Sequence, residues 1–219
     1  MAVAIRLRSA VALAGRFPVL AGVDLEVGAG EVVLVAGPNG AGKTSLLRLC
    51  AGLLPVSQGE AEVLGHDLRS DRRAVRRRLA LLGHATGVYD DLTVVEQATF
   101  AARAVGQPAA RGARALAQVG MDGRLRDVAV ARLSAGQRRR LALACLLVRD
   151  ADLWLLDEPH AGLDAAGRDV LDALVTEQAA AGGTVVIASH EIDRAEPLAG
   201  RTLVMAGGRL HDREPVHVA

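Results

Sequence analysis

The chain has 219 residues, of which 51% are hydrophobic and 23% charged, and its formal net charge is +1. A chain of this length and composition can bury a sizeable core within one domain. Because the charges nearly balance, the molecule offers no overall field that attracts nucleic acid, and we expect no direct nucleic-acid partner. Its few aromatic residues also argue against base-stacking platforms: Phe17, Tyr89, Phe100 and Trp154.

The hydropathy pattern predicts a cytoplasmic protein. Residues 1–15 loosely imitate a secretion signal, but Arg16 interrupts the apolar stretch, and a strand is the preferred interpretation. The longest apolar run, residues 141–148, is far shorter than the roughly 18 residues that span a bilayer. Cys50 and Cys145 lie among leucines in predicted helices without metal-ligand spacing, so we expect small buried hydrophobic residues there.

The predicted elements begin with short antiparallel strands joined by glycine turns, over residues 1–30. Residues 31–36 follow as a buried strand, which leads into a glycine-rich loop over residues 37–44. An apolar-rich helix is predicted after this loop, over residues 45–54. The order of strand, glycine loop and helix is typical of a phosphate-binding unit.

Farther along the chain, residues 84–150 carry Ala, Arg and Leu at helical spacing, which predicts a mostly helical insertion. Buried parallel strands are predicted over residues 153–156 and 184–189, with a helix between them that ends at Gly182. A closing hairpin is expected over residues 202–210. This alternation predicts an α/β fold with a doubly wound sheet.

A basic cluster precedes the helical insertion on a predicted helix. Asp67 and Asp71 lie beside it, which favours a solvated face over a nucleic-acid site. Its members are Arg72, Arg73, Arg76, Arg77 and Arg78.

The glycine-rich loop contains the chain's single lysine, Lys43, and its single asparagine, Asn39. It fits the pattern G-x-x-x-x-G-K-[ST], in which backbone N–H groups at a helix N-terminus surround a triphosphate. Lys43 would bridge the β- and γ-phosphates, and Thr44 would bind Mg²⁺. The strand and helix on either side favour this interpretation over a structural glycine turn. The candidate nucleotide-binding residues are Gly37, Pro38, Asn39, Gly40, Ala41, Gly42, Lys43, Thr44 and Ser45.

Three further candidates lie at the carboxyl ends of predicted strands, where open α/β sheets bind ligands. Asp157 and Glu158 end one strand, and adjacent strand residues point to opposite sides. One carboxylate could then face Mg²⁺ while the other holds an attacking water. His190 follows the strand over residues 184–189 and is expected to hydrogen-bond the γ-phosphate and the attacking water.

The segment LSAGQ, residues 133–137, opens another predicted helix. Ser134 suits its N-cap, and Gly136 permits a close backbone approach, so this helix N-terminus is a second candidate anion site. A single nucleotide does not need two phosphate-binding helix ends from one chain.

Together these motifs resemble the ATP-binding cassette (ABC) ATPase family, because GPNGAGKT, LSAGQ, LWLLDE, AGLD and the histidine occur in that family's order. The resemblance implies ATP and Mg²⁺ as cofactors, and a head-to-tail dimer in which the LSAGQ segment of one subunit covers the ATP of the other. It implies that Glu158 is the general base, that Lys43 and His190 assist catalysis, and that Asp157 acts on Mg²⁺. The residues that it places across the dimer interface are Ser134, Gly136, Gln137 and Asp164.

The resemblance also predicts the organisation of the chain as one domain over residues 1–219. A P-loop NTPase core, with a mostly parallel sheet flanked by helices and an N-terminal antiparallel β subdomain, is expected over residues 1–83 and 151–219. The helical signature subdomain is expected over residues 84–150.

Two positions depart from the family pattern. His84 stands where the family usually has a glutamine that contacts Mg²⁺, and imidazole prefers softer metals. The aromatic residue that normally stacks on adenine is not obvious. Phe17 is the one aromatic residue before the loop, and it could instead pack in the core.

Within the family, the Gly-His pair and the short chain look most like the ATP-binding subunit of haem exporters used in cytochrome c maturation. That implies transmembrane permease subunits as partners and a peripheral location at the cytoplasmic face of the cell membrane. The alternatives are an ATPase subunit of another multidrug or small-solute exporter, a non-transport ABC ATPase acting on nucleic acid or ribosomes, and a P-loop phosphotransferase. Whether the dimer pairs identical or different chains stays open.

Overall fold

Strands and helices alternate within residues 2–212, the part of the chain that the computed structural model describes. The strands are β1 (Val3–Ala14), β2 (Phe17–Gly28), β3 (Val32–Ala36), β4 (Gln58–Val63), β5 (His66–Asp67), β6 (Leu79–Leu82), β7 (Leu153–Asp157), β8 (Thr184–Ser189), β9 (Arg201–Ala206) and β10 (Arg209–Asp212). The helices are α1 (Lys43–Cys50), α2 (Arg72–Arg78), α3 (Val94–Ala104), α4 (Ala109–Gln118), α5 (Ala135–Leu147), α6 (Ala165–Ala180) and α7 (Ile192–Ala195).

The central sheet has the strand order β10-β9-β3-β8-β7-β6. All neighbours in it are parallel except β9 and β10, which form the predicted closing hairpin at one edge. Every residue of β3, β7 and β8 is buried. Continuous burial means that both faces of the sheet are covered, and the predicted α/β architecture is confirmed.

Hydrophobic cores lie on both faces of this sheet, because successive strand residues point to opposite sides. Leu34 joins the core formed with α3, α4, α5 and α6. Its neighbours Val33 and Val35 join the core formed with α1, α2 and the antiparallel sheet β2-β1-β4-β5. The parallel sheet is therefore the middle layer, and its strand ends are fixed from both sides.

Some predicted elements differ in length from the observed ones. The N-terminal strands are antiparallel as expected, but β1 and β2 are long strands of 12 residues, and register shifts bend their pairing near Ser9, which has φ 44°. Helix α1 stops at Cys50 instead of residue 54, and Gly52 follows with φ 65°. Strand β6 was not predicted, because its four apolar residues directly follow an arginine-rich helix without a turn signal.

Two of the helices between β6 and β7, α3 and α5, begin with side-chain caps. Thr93 and Glu96 form a reciprocal capping box at α3, and Ser134 and Gln137 form one at α5. The arginine cluster forms α2 as expected, and Arg78 pairs with the carboxylate of Asp152 at 2.8 Å.

Cys50 is buried, as predicted, and Cys145 is partly buried. Burial raises the pKa of Cys50 to about 12 and that of Cys145 to about 11, which favours the neutral thiol at neutral pH. Among residues 2–212, no group of three or more His, Cys, Asp or Glu side chains is arranged to bind a metal ion. None of the helices in the described chain combines the length and apolar character needed to cross a membrane.

Candidate nucleotide-binding site

The loop between β3 and α1 has a backbone that only glycine accommodates at two positions. Gly37 has φ 148°, and a Cβ there would overlap the carbonyl oxygen of Met205. Gly42 has φ 112°, and a Cβ there would lie 2.9 Å from the carbonyl oxygen of Val19. A larger residue at either position would therefore be strained and would push the loop away from the sheet.

Helix α1 begins directly after this loop with its N-terminus suited to an anion. The N-cap residue is Gly42, which provides no side-chain hydrogen bond to the first turn, and that turn contains no acidic residue. The first N–H groups of a helix lack partners within the helix, and its dipole favours negative charge at this end. These N–H groups can therefore bind phosphate oxygens.

Lys43 is buried beneath the loop. Its Nζ donates hydrogen bonds to the carbonyl oxygens of Gly37, at 2.7 Å, and of Pro38, at 3.1 Å. The same Nζ lies 3.6 Å from Oε1 of Glu158. These contacts hold a positive charge at the centre of the site, where a phosphate group would neutralise it.

Thr44 and Asp157 contact each other across the cleft between α1 and β7. The hydroxyl of Thr44 donates to the carboxylate of Asp157, with oxygen–oxygen distances of 2.9 and 3.1 Å. Hydroxyl and carboxylate oxygens are hard ligands of the kind that Mg²⁺ prefers. The donor set therefore fits a magnesium ion bound between them.

The orientation of the Glu158 side chain is set by a turn that follows strand β7. Strand β7 ends at Asp157, and Glu158 has the left-handed φ of 46°. The expectation that both carboxylates lie in one strand and point to opposite sides was therefore wrong. The turn brings Glu158 into the same cleft as Asp157.

The carboxylate of Glu158 accepts hydrogen bonds from the next strand end. Its donors are the hydroxyl of Ser189, at 3.1 Å, and the backbone N–H of His190, at 3.1 Å. Nδ1 of the His190 ring also lies 2.9 Å from Oε2. Burial raises the pKa of Glu158, but the hydrogen bonds from His190 and Ser189 together outweigh it, and the net pKa is lowered. The group is therefore ionised at neutral pH, as a general base must be.

A cleft of about 430 Å³ brings most of the predicted residues together at the carboxyl ends of β3, β7 and β8. His84 is exposed and lies in this lining, near Thr44 and Asp157. The predicted residues in the lining are Asn39, Gly40, Gly42, Lys43, Thr44, Ser45, His84, Asp157, Glu158 and His190, and sequence analysis missed Val19 and Ala161.

Phe17 lies near the cleft but outside its lining. The residue is 77% exposed, so the alternative of core packing was wrong. It is two residues from Val19 of β2, which lines the cleft, and the pairing of β1 with β2 shifts register between Pro18 and Leu20. Its stacking on adenine remains a prediction.

The LSAGQ segment lies at a different place. The side chain of Ser134 caps α5 by accepting from the backbone of Gln137, as predicted. A Cβ on Gly136 would come within 2.9 Å of the carbonyl oxygen of Gly162, so the backbone of Gly136 lies close to that of Gly162, and the approach of an anion stays a prediction. These residues lie outside the lining of the 430 Å³ cleft.

Asp164 also lies outside that lining. It caps α6 by accepting from the N–H of Gly167 at 2.9 Å, and it pairs with Arg140 of α5. The hydrogen bond from Arg140, helped by that from Gly167, holds the pKa of Asp164 below its ordinary value. The exposed carboxylate therefore stays charged beside the LSAGQ helix.

Arg139 was not among the predicted residues, and its buried guanidinium donates to the carbonyl oxygens of Asp157 and Glu158. The sequence did indicate that Arg139 is buried, because it shares a helical face with the apolar residues Leu143 and Leu146. An arginine on an apolar helix face needs buried partners.

The family profile described as "ABC transporter" matches residues 20–161. The chain belongs to the ABC transporter family. Two related proteins are the cytochrome c biogenesis ATP-binding export proteins CcmA of Pseudomonas putida and CcmA 2 of Cupriavidus metallidurans. The first is 43% identical over 183 residues, covering 83% of this chain and 86% of the relative. The second is 40% identical over 179 residues, covering 81% and 84%.

Solved structures of ABC cassettes share the fold. One is cbiO1 from Clostridium perfringens, part of the ABC transporter complex cbiONQ, with a TM-score of 0.82 and 26% identity, covering 96% of this chain and 88% of the other. A dimeric ATP-binding cassette bound to ADP and Pi has a TM-score of 0.88 and 21% identity, covering 98% and 100%. The predicted ABC fold is therefore confirmed. ATP-binding proteins of this family are ATP hydrolases, and the domain implies ATP binding.

Proposed function

We propose that this chain is the ATP-hydrolysing subunit of an ABC exporter that serves cytochrome c biogenesis, with haem as the cargo. The observation that carries the ATPase activity is one cleft that holds Lys43, Thr44, Asp157, Glu158 and His190 together. The export assignment is supported by related proteins named for cytochrome c biogenesis, which are 40–43% identical over most of this chain.

ATP binds with its phosphates on the loop between β3 and α1. The backbone N–H groups at the start of α1 and the ammonium of Lys43 together neutralise the phosphate charge. Thr44 and Asp157, whose oxygens approach to 2.9 Å, would hold Mg²⁺. When bound, the ion would supply positive charge that neutralises the phosphates. His84 lies in the same lining and is a further candidate ligand, although imidazole suits softer metals.

Glu158 acts as the general base. It accepts a proton from water while the water oxygen forms a bond to the γ-phosphorus and the bond from that phosphorus to the ADP oxygen breaks. His190, 2.9 Å from the Glu158 carboxylate, orients this base and reaches toward the γ-phosphate. Because its hydrogen-bond donors keep Glu158 ionised, the base is ready at neutral pH.

A second subunit completes the site. The LSAGQ end of α5 is exposed at Ser134 and lies outside the cleft of its own chain. A helix N-terminus of this kind suits the phosphates of a nucleotide on a partner. A head-to-tail arrangement places Ser134, Gly136, Gln137 and Asp164 of one subunit against the nucleotide of the other.

A groove of about 450 Å³ beside α1 and α3 supports a separate permease subunit as partner. Leu53, Tyr89 and Phe100 line it and are 54%, 57% and 49% exposed. The rings of Tyr89 and Phe100 meet edge to face at 5.5 Å. Clustered large apolar side chains at a surface are typical of protein contacts. Docking on a permease would place the chain at the cytoplasmic face of the membrane.

Two experiments test this function. The purified chain with ATP and Mg²⁺ should release inorganic phosphate to water without a phosphorylated acceptor, which separates it from a phosphotransferase. In cells, deletion of the gene should abolish the maturation of c-type cytochromes, and the chain should co-purify with a polytopic membrane protein. Intact c-type cytochromes in the deletion strain would contradict the export assignment and favour another cargo.

A further inference from the structure

Arg139 of α5 is a charged residue buried in the interior, with an exposed fraction of 5%. Its guanidinium donates to four main-chain carbonyl oxygens on two other segments. Nη2 donates to Asp157 and Glu158, both at 2.8 Å, and Nε donates to Pro159 at 3.4 Å. Nη1 donates to Gly83 at 2.6 Å. One side chain therefore connects α5, the turn after β7 and the end of β6.

The three consecutive carbonyls of Asp157, Glu158 and Pro159 converge on this one group. In an extended strand, successive carbonyls point in alternating directions, so they could not share a single donor. The left-handed φ of 46° at Glu158 turns the chain and makes the convergence possible. Such a backbone conformation is sparsely populated in non-glycine residues and persists only where its surroundings hold it. The guanidinium of Arg139 is part of those surroundings, together with the bond from the N–H of Glu158 to the carbonyl of Ala188 and the bond from the N–H of Ala161 to the carbonyl of Glu158.

The fourth bond extends this effect to the segment that carries His84. Gly83 directly precedes His84, which lines the cleft with Thr44 and Asp157. A guanidinium presents its donors in a rigid plane, so the positions of the Gly83 and Glu158 carbonyls are fixed relative to each other. A lysine ammonium would lack this planar geometry and could not reach all four oxygens at once.

We propose that Arg139 is a positioning residue for ATP hydrolysis: it holds the turn that directs Glu158 into the cleft and sets the distance from that turn to the segment carrying His84. This rests on the proposed ATPase function. Arg139 does not line the phosphate-binding cleft. Its removal should therefore affect turnover and leave ATP binding, which depends on α1 and its loop, largely unchanged.

The experiment compares Arg139→Gln and Arg139→Lys with a matched control, Arg149→Gln. Arg149 lies just beyond the other end of α5 and also binds carbonyl oxygens, those of Leu79 at 3.0 Å and Arg76 at 2.9 Å. Burial lowers the pKa of both guanidinium groups. The control therefore removes two main-chain hydrogen bonds of a partly buried guanidinium, none of which involves the turn at Glu158.

We expect Arg139→Gln to lower kcat at least about tenfold, with the Kd for ATP within about twofold of the wild type. Arg139→Lys should recover part of the lost kcat, and Arg149→Gln should keep kcat within about twofold. Amide hydrogen exchange over residues 158–161 should accelerate in both Arg139 variants and not in Arg149→Gln. This exchange measurement needs no catalytic activity.

The inference would be overturned by an unchanged kcat in both Arg139 variants, or by unchanged amide exchange over residues 158–161. Equal losses of kcat in Arg139→Gln and Arg149→Gln would also overturn it, because they would indicate general destabilisation. If Arg139→Gln does not fold, Arg139→Lys and its exchange pattern decide the outcome. A wild-type chain that does not hydrolyse ATP would instead contradict the proposed function, and the exchange comparison would still test the contact.

Discussion

Nδ1 of His190 lies 2.9 Å from Oε2 of Glu158, and the backbone N–H of the same histidine donates to the same carboxylate. One residue at the end of β8 therefore contacts the proposed base at the end of β7 through both its ring and its main chain. The contact connects neighbouring strands of the parallel sheet, so the geometry of the site depends on the register of the sheet itself. The consequences can be measured one residue at a time.

His190→Ala should shift the pH dependence of hydrolysis. The His190 side chain lowers the pKa of Glu158 against burial, which raises it. Without that side chain the pKa of Glu158 rises, and the carboxylate becomes protonated at a higher pH than in the wild type. The acidic limb of the kcat/KM profile should therefore move to higher pH, and kcat should fall by about 10²-fold or more. A profile with an unchanged acidic limb would show that His190 does not control Glu158.

Lys43→Ala should abolish nucleotide binding or hydrolysis. The ammonium lies between the loop carbonyls and Glu158, 2.7 Å from the carbonyl oxygen of Gly37, where phosphate oxygens would replace part of its contacts. Lys43→Arg is the matched variant, because it keeps the charge but adds a planar fork that does not fit between phosphates. Calorimetric titration with Mg-ATP measures both. Wild-type affinity together with wild-type turnover in Lys43→Ala would rule out the phosphate-loop assignment.

His84→Gln should change the metal preference. His84 stands in the cleft lining near Thr44 and Asp157, and imidazole favours metals softer than Mg²⁺. The variant should hydrolyse ATP relatively better with Mg²⁺ than with Mn²⁺ when compared with the wild type. The check is the ratio of kcat/KM in the two metals, measured for both proteins. Identical ratios would show that residue 84 does not contact the ion.

The head-to-tail dimer predicts complementation between inactive variants. Lys43→Ala inactivates the phosphate loop of one subunit. Ser134→Arg blocks the exposed LSAGQ end of the other. A mixture of the two variants contains heterodimers with one intact site, so it should show ATPase activity that neither variant has alone. A mixture as inactive as its components would argue against a site shared between subunits.

The parts of the site that depend on local sequence could be predicted. The glycines at 37 and 42 and the residues at 43 and 44 specify the loop, because the φ values and close approaches there belong to a short segment. The end of β7 was located to within one residue, but Glu158 lies in the turn after the strand and not in the strand as expected. The left-handed turn at Glu158 could not be predicted, because the residue with positive φ is not a glycine.

Contacts between distant segments were beyond sequence reasoning. Arg139 acts through carbonyl oxygens at residues 83 and 157–159, and carbonyls carry no side-chain signature. Strand β6, which supplies Gly83 at its end, was missed for lack of a turn signal. The exposure of Phe17 was also not predictable from its residue type. This hydrophobic side chain is 77% exposed because it lies at the turn of the hairpin between β1 and β2.

The most direct test of the account is the rate of phosphate release by Glu158→Gln at saturating Mg-ATP. The amide keeps the shape of the side chain but cannot accept a proton as the base, while the loop and Lys43 remain intact. We expect turnover to fall at least about a hundredfold, ATP binding to persist and an ATP-bound dimer to accumulate in size-exclusion chromatography. Turnover near the wild-type rate, without an ATP-bound dimer, would contradict the assignment of Glu158 as the base of this cleft.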